Sequence, residues 1–259
     1  MKKYFLLAII ALCLSHLFAQ TKDFEWELIA EGSEVFITKY TGTDTKVKIP
    51  ANIDKKPVTA ITGFANNKKI ISVTIPEGVI YIRREKESLY LGAFTNCSAL
   101  ESVTLPKSLK RIDEYAFSKC TSLEKIDLGE NLDSLGSHIF ADCTALKEIS
   151  LSQNIKKIPW AAFIRCTALE NVTLSKSTSE IAYMAFQNCS ALKSIELPET
   201  LRHIGPEAFK NCLSLEEVIL LSEEINFHDY GKGIFTGCSA LSTEMRKTLN
   251  ENGYQGSFD

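Results

Sequence analysis

Ala116-Phe117-Ser118-Lys119-Cys120-Thr121-Ser122-Leu123-Glu124-Lys125-Ile126-Asp127-Leu128 decides how this chain folds, because its Ala-Phe-x-x-Cys-x-x-Leu-x-x-Ile-x-Leu pattern returns along most of the sequence. After Cys13 the cysteines fall at Cys97, Cys120, Cys143, Cys166, Cys189, Cys212 and Cys238, five steps of 23 residues followed by one of 26. A Phe stands three residues before each and a Leu three after, from Phe94 and Leu100 to Phe235 and Leu241. A fixed period of this size is the signature of coils stacked into a solenoid. Phe64, Asn67, Ile70, Val73 and Ile75 keep the spacing with Asn in place of Cys. They make an eighth, atypical unit at the N-terminal end, where a solenoid needs one.

The remaining apolar positions shape one unit. Val103-x-Leu105 and its counterparts alternate with period two, which predicts a short strand with one buried face. Pro76, Pro106 and Pro198 end that strand in three units, since proline lacks the N–H a continuing ladder requires. Further aliphatics follow at Leu109 and Ile112, and again at Leu132 and Leu135 or Leu201 and Ile204. The Ala-Phe-x-x-Cys segment is too short for a stable α-helix and is expected to form a single helical or 3₁₀ turn. Burial within one unit does not offset the entropy of ordering it, so stacking on both neighbours must supply the difference.

Leu-x-x-Ile-x-Leu units of this period resemble leucine-rich repeats. The phrasing Ile-x-x-x-Ala-Phe-x-x-Cys-x-x-Leu-x-x-Ile-x-Leu-Pro resembles the BspA-like bacterial subclass in particular, over residues 43–241. The resemblance implies an α/β fold: a right-handed leucine-rich-repeat solenoid with short parallel strands on its concave face and short helical or 3₁₀ turns. The chain departs from the commoner repeat at the polar corner position, where Asn131 and Asn154 fit but Ser108, Ser177 and Thr200 stand in other units. No asparagine ladder is therefore expected. BspA-like proteins include surface antigens that attach to host matrix components and epithelium, so the resemblance implies adhesion or host-protein binding.

One register running through most of the 259 residues argues for a single elongated body. A net charge of −3 gives no basic field for nucleic acid. Lys2 and Lys3, the apolar run Tyr4 to Leu14, and Leu17-Phe18-Ala19 read as a signal peptide over residues 1–19, with Gln20 opening the mature chain. Lipidation at Cys13 is the alternative. No second apolar run is long enough for a transmembrane span in the mature chain. The expected location is the cell surface or the extracellular space, with a periplasmic or lipid-anchored chain as alternatives.

Residues 20–62 read as an N-terminal β cap. Phe24, Trp26 and Leu28 line one face, Glu31-Gly32-Ser33 turns, and Val35 and Ile37 return, giving a hairpin over the first coil. Residues 63–241 form the solenoid and 242–259 a C-terminal helical cap, in which Ser242 caps a helix carrying Leu241, Met245 and Leu249 on one face. Seven extra residues between Ile82 and Ala93 bring in Arg83, Arg84, Lys86, Leu89 and Tyr90. That insertion reads as a solvated loop or a partner-binding protrusion. A shorter insertion around His228-Asp229-Tyr230-Gly231 reads the same way.

The repeat cysteines face inward between Phe and Leu, and Asn67 replaces one of them, so they read as free thiols filling the core rather than as disulfides. No metal-ligand spacing, Gly-rich phosphate loop or nucleophile-base pairing is present, and His138, His203 and His228 occupy different places in their units. The reading is a non-enzyme without cofactor or metal. The candidate ligand-binding residues are the outward strand positions of the repeat: Ser102, Lys125, Glu148, Asn171, Ser194 and Glu217 in one ladder, and Thr104, Asp127, Ser150, Thr173 and Glu196 in the other. Ser72 and Thr74 extend these ladders at one end and Ile219 at the other. The expected partner is a protein or glycan on a host or neighbouring cell surface, met by a monomer. A self-assembling scaffold without a host ligand is the alternative.

Overall fold

A computed structural model describes residues 19, 20, 22–222, 225, 227 and 233–259. Of the expected leader, only the backbone of Ala19 falls among them, and Cys13 and the 228–231 insertion lie outside them. Most coils present two short strands separated by turns. The Leu-x-x-Ile-x-Leu motif supplies the first face: Lys46–Lys48, Ser72–Thr74, Ser102–Thr104, Glu148–Ser150, Asn171–Thr173, Ser194–Leu197 and Glu217–Leu220. These strands pair in parallel with the period of the sequence, as in Ser72↔Ser102, Glu148↔Asn171 and Ser194↔Glu217, and Lys125 joins by a bridge to Glu148. The aliphatic that follows each corner, Ile112 or Ile181 for example, sits in a second parallel face: Tyr81–Ile82, Arg111–Ile112, Ser134–Leu135, Lys157–Ile158, Glu180–Ile181 and His203–Ile204.

The Ala-Phe-x-x-Cys segment makes the third side, and it is not the helical or 3₁₀ turn that its spacing suggests. In the five coils from Phe117 to Phe209 two residues have positive φ. One lies two before the Phe, as in Tyr115, His138, Ala161, Met184 and Glu207, and the other just before the Cys, as in Lys119, Asp142, Arg165, Asn188 and Asn211. Left-handed residues break a helix, so the segment runs as successive tight turns, closed for example by Ser118 N–H to Tyr115 C=O at 3.0 Å and Cys120 N–H to Phe117 C=O at 3.1 Å. Backbone bonds also run from coil to coil here, Phe117 N–H donating to Ile139 C=O at 2.9 Å and Phe140 N–H to Ala162 C=O at 2.9 Å. The architecture is accordingly mostly β rather than α/β. Among the described residues its regular helix content is the helix Thr243–Glu251, since the short turn Ala30–Gly32 has positive φ throughout.

The interior is one continuous apolar cluster from Phe24 to Tyr254. Its axis is a column of rings: Tyr40, Phe64, Phe94, Phe117, Phe140, Phe163, Phe186, Phe209 and Phe235, with successive centroids 4.8–5.6 Å apart. Tyr254, fully buried, ends the column edge-on against Phe235 at 5.3 Å. Ser242 accepts a bond from Met245 N–H, as the sequence predicts for a helix cap, and Leu249 is buried on the helix face toward the column.

At the other end Phe24–Ile29 and Glu34–Tyr40 form the expected hairpin, and Glu34–Tyr40 pairs in parallel with Lys56–Ile61, the strand that opens the second face. Leu28 departs from the expected inward face and is exposed, whereas Phe36, on the opposite face, is fully buried. The reason is the 83–92 insertion. Arg83 and Lys86 lie over the Phe36 ring at 4.9 and 5.7 Å, and Lys86 pairs with Glu27 at 2.5 Å, so the base of the insertion clamps the hairpin. Its tip, Leu89 and Tyr90, stays exposed.

Candidate functional site

The strand register puts the sequence-predicted residues on the outside of the first face. Ser102, Thr104, Glu148, Ser150, Asn171, Thr173, Ser194, Glu196 and Glu217 are all exposed, while Val103, Ile149 and Ile195 between them are buried. Lys125 and Glu148 form an ion pair at 2.5 Å, which raises the Lys125 pKa; Asp127 accepts from Gly129 N–H at 2.9 Å, closing the local turn. Beside them, Lys147 pairs with Glu124 and Lys193 with Glu170, both at 2.8 Å, tying neighbouring coils. These exposed pairs contribute little to stability. Asn171, Thr173, Ser194 and Glu196 come together in a groove of about 550 Å³ that also takes in Ile219 and Leu221. Ser102 and Thr104 lie farther along the face, outside this groove.

All seven repeat thiols are buried and unbridged. They do more than fill space. Each Sγ donates to the carbonyl of the Phe one coil earlier: Cys97 to Phe64, Cys120 to Phe94, Cys143 to Phe117, and so on to Cys238 and Phe209, at 3.0–3.3 Å. The Phe117 carbonyl also accepts Cys120 N–H at 3.1 Å, so both of its lone pairs are used. Burial raises the pKa of Cys97, Cys120, Cys143, Cys166, Cys189 and Cys212 away from reactivity, that of Cys97 to about 12. At the corner after the first face, hydroxyls and amides share the role that an asparagine ladder would fill. Ser108 donates to Val79 C=O, Asn131 to Lys107 C=O and Thr200 to Thr178 C=O.

Among the described residues no three His, Cys, Asp or Glu side chains converge as a metal site requires. His138 sits on the turn side and His203 on the second face, so they share no site.

One cluster was not anticipated. Tyr90, Tyr115, His138, Trp160 and Tyr183 form an outer column of rings with centroids 4.6–6.4 Å apart. Trp160 and Tyr183 lie 48% and 39% exposed beside a groove of about 490 Å³ that runs on to Pro206. The available signal was an aromatic or imidazole ring two to four residues before Phe in five successive units. Because the ring changes place within the unit, a fixed-period reading passes over it.

The structure most resembles bacterial repeat proteins. A T. pallidum leucine-rich-repeat protein is 26% identical with a TM-score of 0.66, over 93% of this chain and 98% of that one. A leucine-rich-repeat protein from Bacteroides ovatus is 27% identical with a TM-score of 0.73, over 85% of this chain and 56% of that one, so the present chain spans about half the length of that relative. No curated protein matches the chain. Among the described residues, no helix is long and apolar enough to cross a membrane. The family model described as BspA type leucine rich repeat region matches residues 60–190 and 156–251, with 6 copies. Repeat proteins of this kind are scaffolds that generally bind proteins or are surface-associated. The chain belongs to the BspA-type leucine-rich-repeat family.

Proposed function

We propose that this protein is an exported, non-enzymatic adhesion module that binds a protein on a host or neighbouring cell surface through its first face. The observation that carries this reading is the groove in which Asn171, Thr173, Ser194 and Glu196 surround the exposed apolar side chains Ile219 and Leu221. Apolar contact within a polar rim is the composition of a recognition surface. Two features from the sequence complete the proposal. Residues 1–19 direct export, and residues 20–62 and 242–259 cap a repeat body at 63–241. The coil is right-handed, the hand that parallel strands joined by crossovers overwhelmingly adopt.

The test is a pull-down of the mature chain against matrix and cell-surface proteins, with a variant charge-reversed at Lys125, Glu148 and Glu196. The parent should capture a defined protein and the variant should lose it. Equal capture by both would remove the first face from the interaction. Light scattering on the isolated chain gives the second arm: a monomer fits the module, and a concentration-dependent oligomer favours a self-assembling scaffold.

A further inference from the structure

Trp160, Tyr183 and Pro206 occupy the same place in three consecutive coils, each two residues after the inward aliphatic of the second face. Gly205 keeps the chain close beneath them, since a Cβ there would meet Tyr183 N at 2.5 Å. Trp160 and Tyr183, with ring planes 18° apart, and Pro206 wall the groove, and the buried Ile181 forms its floor. Glu180 and His203, paired in register across the parallel ladder, stand at the rim.

Nothing in the fold calls for these rings to be outside. The core is complete without them, and two large aromatics left this exposed beside one groove are a marked surface feature. The chemistry of the lining narrows what would cover them. Glu180 is already matched by Lys157 at 2.7 Å, so the groove presents no uncompensated charge to attract a strongly acidic or basic partner. Its polar capacity is mixed: indole N–H donates, carboxylate accepts, and phenol and imidazole can do both. A pyranose ring offers an apolar C–H face to stack on an aromatic side chain and hydroxyls that donate as well as accept. A proline-rich peptide would also stack on such rings, but its prolines present only carbonyl acceptors, which engage the donors of this lining and leave its acceptors unused.

We propose that this corner groove is a carbohydrate site that seats pyranose units of a glycan chain along Trp160, Tyr183 and Pro206, separate from the protein-binding first face. The coils repeat the wall, so a linear oligosaccharide can lie along the solenoid axis with successive sugars meeting successive coils. The cavity volume falls within the range of small-ligand sites.

The test is titration of the full chain with cellohexaose, chitohexaose and mannohexaose, and with a polyproline peptide alongside. Tryptophan fluorescence reports the groove directly, because the other tryptophan, Trp26, is buried. At least one oligosaccharide should shift the emission, with an affinity in the millimolar range or tighter. Tyr183→Ala should weaken it tenfold or more at unchanged melting temperature, whereas Tyr183→Phe should retain most of it. Calorimetry with Trp160→Ala should show the same loss, and charge reversal of Lys125, Glu148 and Glu196 should leave sugar binding intact. The proposal is overturned if no oligosaccharide binds, if only the peptide does, or if Tyr183→Ala binds as the parent does.

Discussion

The inner ring column, Phe64 to Phe235, and the outer one, Tyr90 to Tyr183, cross the same coils under different constraints. Every inner ring is at most 1% exposed, comes from the same position of its unit, and lies within 28° of parallel to its neighbour. The coil-to-coil hydrogen bonds of the turn side fix that spacing, and close packing leaves no other side chain that fills it. The outer column mixes Tyr, His and Trp, and its ring planes range from stacked to perpendicular. The fold tolerates that column without dictating it. Residues the fold does not dictate are where a repeat protein can carry recognition.

The largest effect that separates the two columns is on stability. Phe140→Ala should cost about 3–5 kcal/mol, because it opens a cavity in the middle of the stack. It should also flatten the denaturation curve, since a weakened interface lets the two halves of the solenoid unfold separately. Trp160→Ala should stay within about 0.5 kcal/mol of the parent. Urea titrations of the two variants measure both. If Trp160→Ala were as costly as Phe140→Ala, the outer rings would be structural and the contrast would collapse.

A smaller effect sharpens the account of the inner column. Cys143→Ala should cost about 1–2 kcal/mol, the sum of lost packing and of one hydrogen bond to the Phe117 carbonyl, which keeps Cys120 N–H as a partner. The seven repeat thiols, all buried, should resist alkylation in the folded protein and react together on unfolding. Prompt labelling of the native chain would show that they are not enclosed.

How much of this was legible in sequence follows from the same contrast. The period of 23 exposes every feature that each coil must repeat: the strand register, the inward Phe, Cys and Leu, and the outward ladder from Ser102 to Glu217. Ser242 and Leu249 were legible because helix capping is local. Besides the outer column, three things were not. Positive φ at Tyr115 and Lys119 turns an apparently helical spacing into tight turns, and neither residue type announces it. The thiol bonds depend on a carbonyl 26 residues away in sequence, as for Cys143 and Phe117. Phe36 looks like an outward strand residue until the insertion folds back over it. Each comes from contacts between coils, which a pattern within one unit does not contain.

The smallest predicted effect belongs to the outer column alone, because it holds an imidazole whose pKa its burial lowers. His138 lies between Tyr115 and Trp160, and its Nδ1 is buried without a partner. Burial lowers its pKa from 6.5, and Arg165 nearby adds to the shift, while Glu114 and Asp142 oppose it weakly. Arg165 is itself held by two bonds to Asp142, so its charge stays in place. The folded state therefore binds the proton less readily than the unfolded chain does. The contribution of neutral His138 is fully present above pH 6.5 and is lost as pH falls through the lowered folded value. Melting temperature should decline across that window in the parent, and His138→Phe, which keeps a ring between Tyr115 and Trp160, should flatten the decline. Phe163→Leu, an inner-column change, should lower the melting temperature at every pH and leave the slope as it was. A slope that survived His138→Phe would place the titrating group elsewhere and remove pH sensitivity from the list of differences between the two columns.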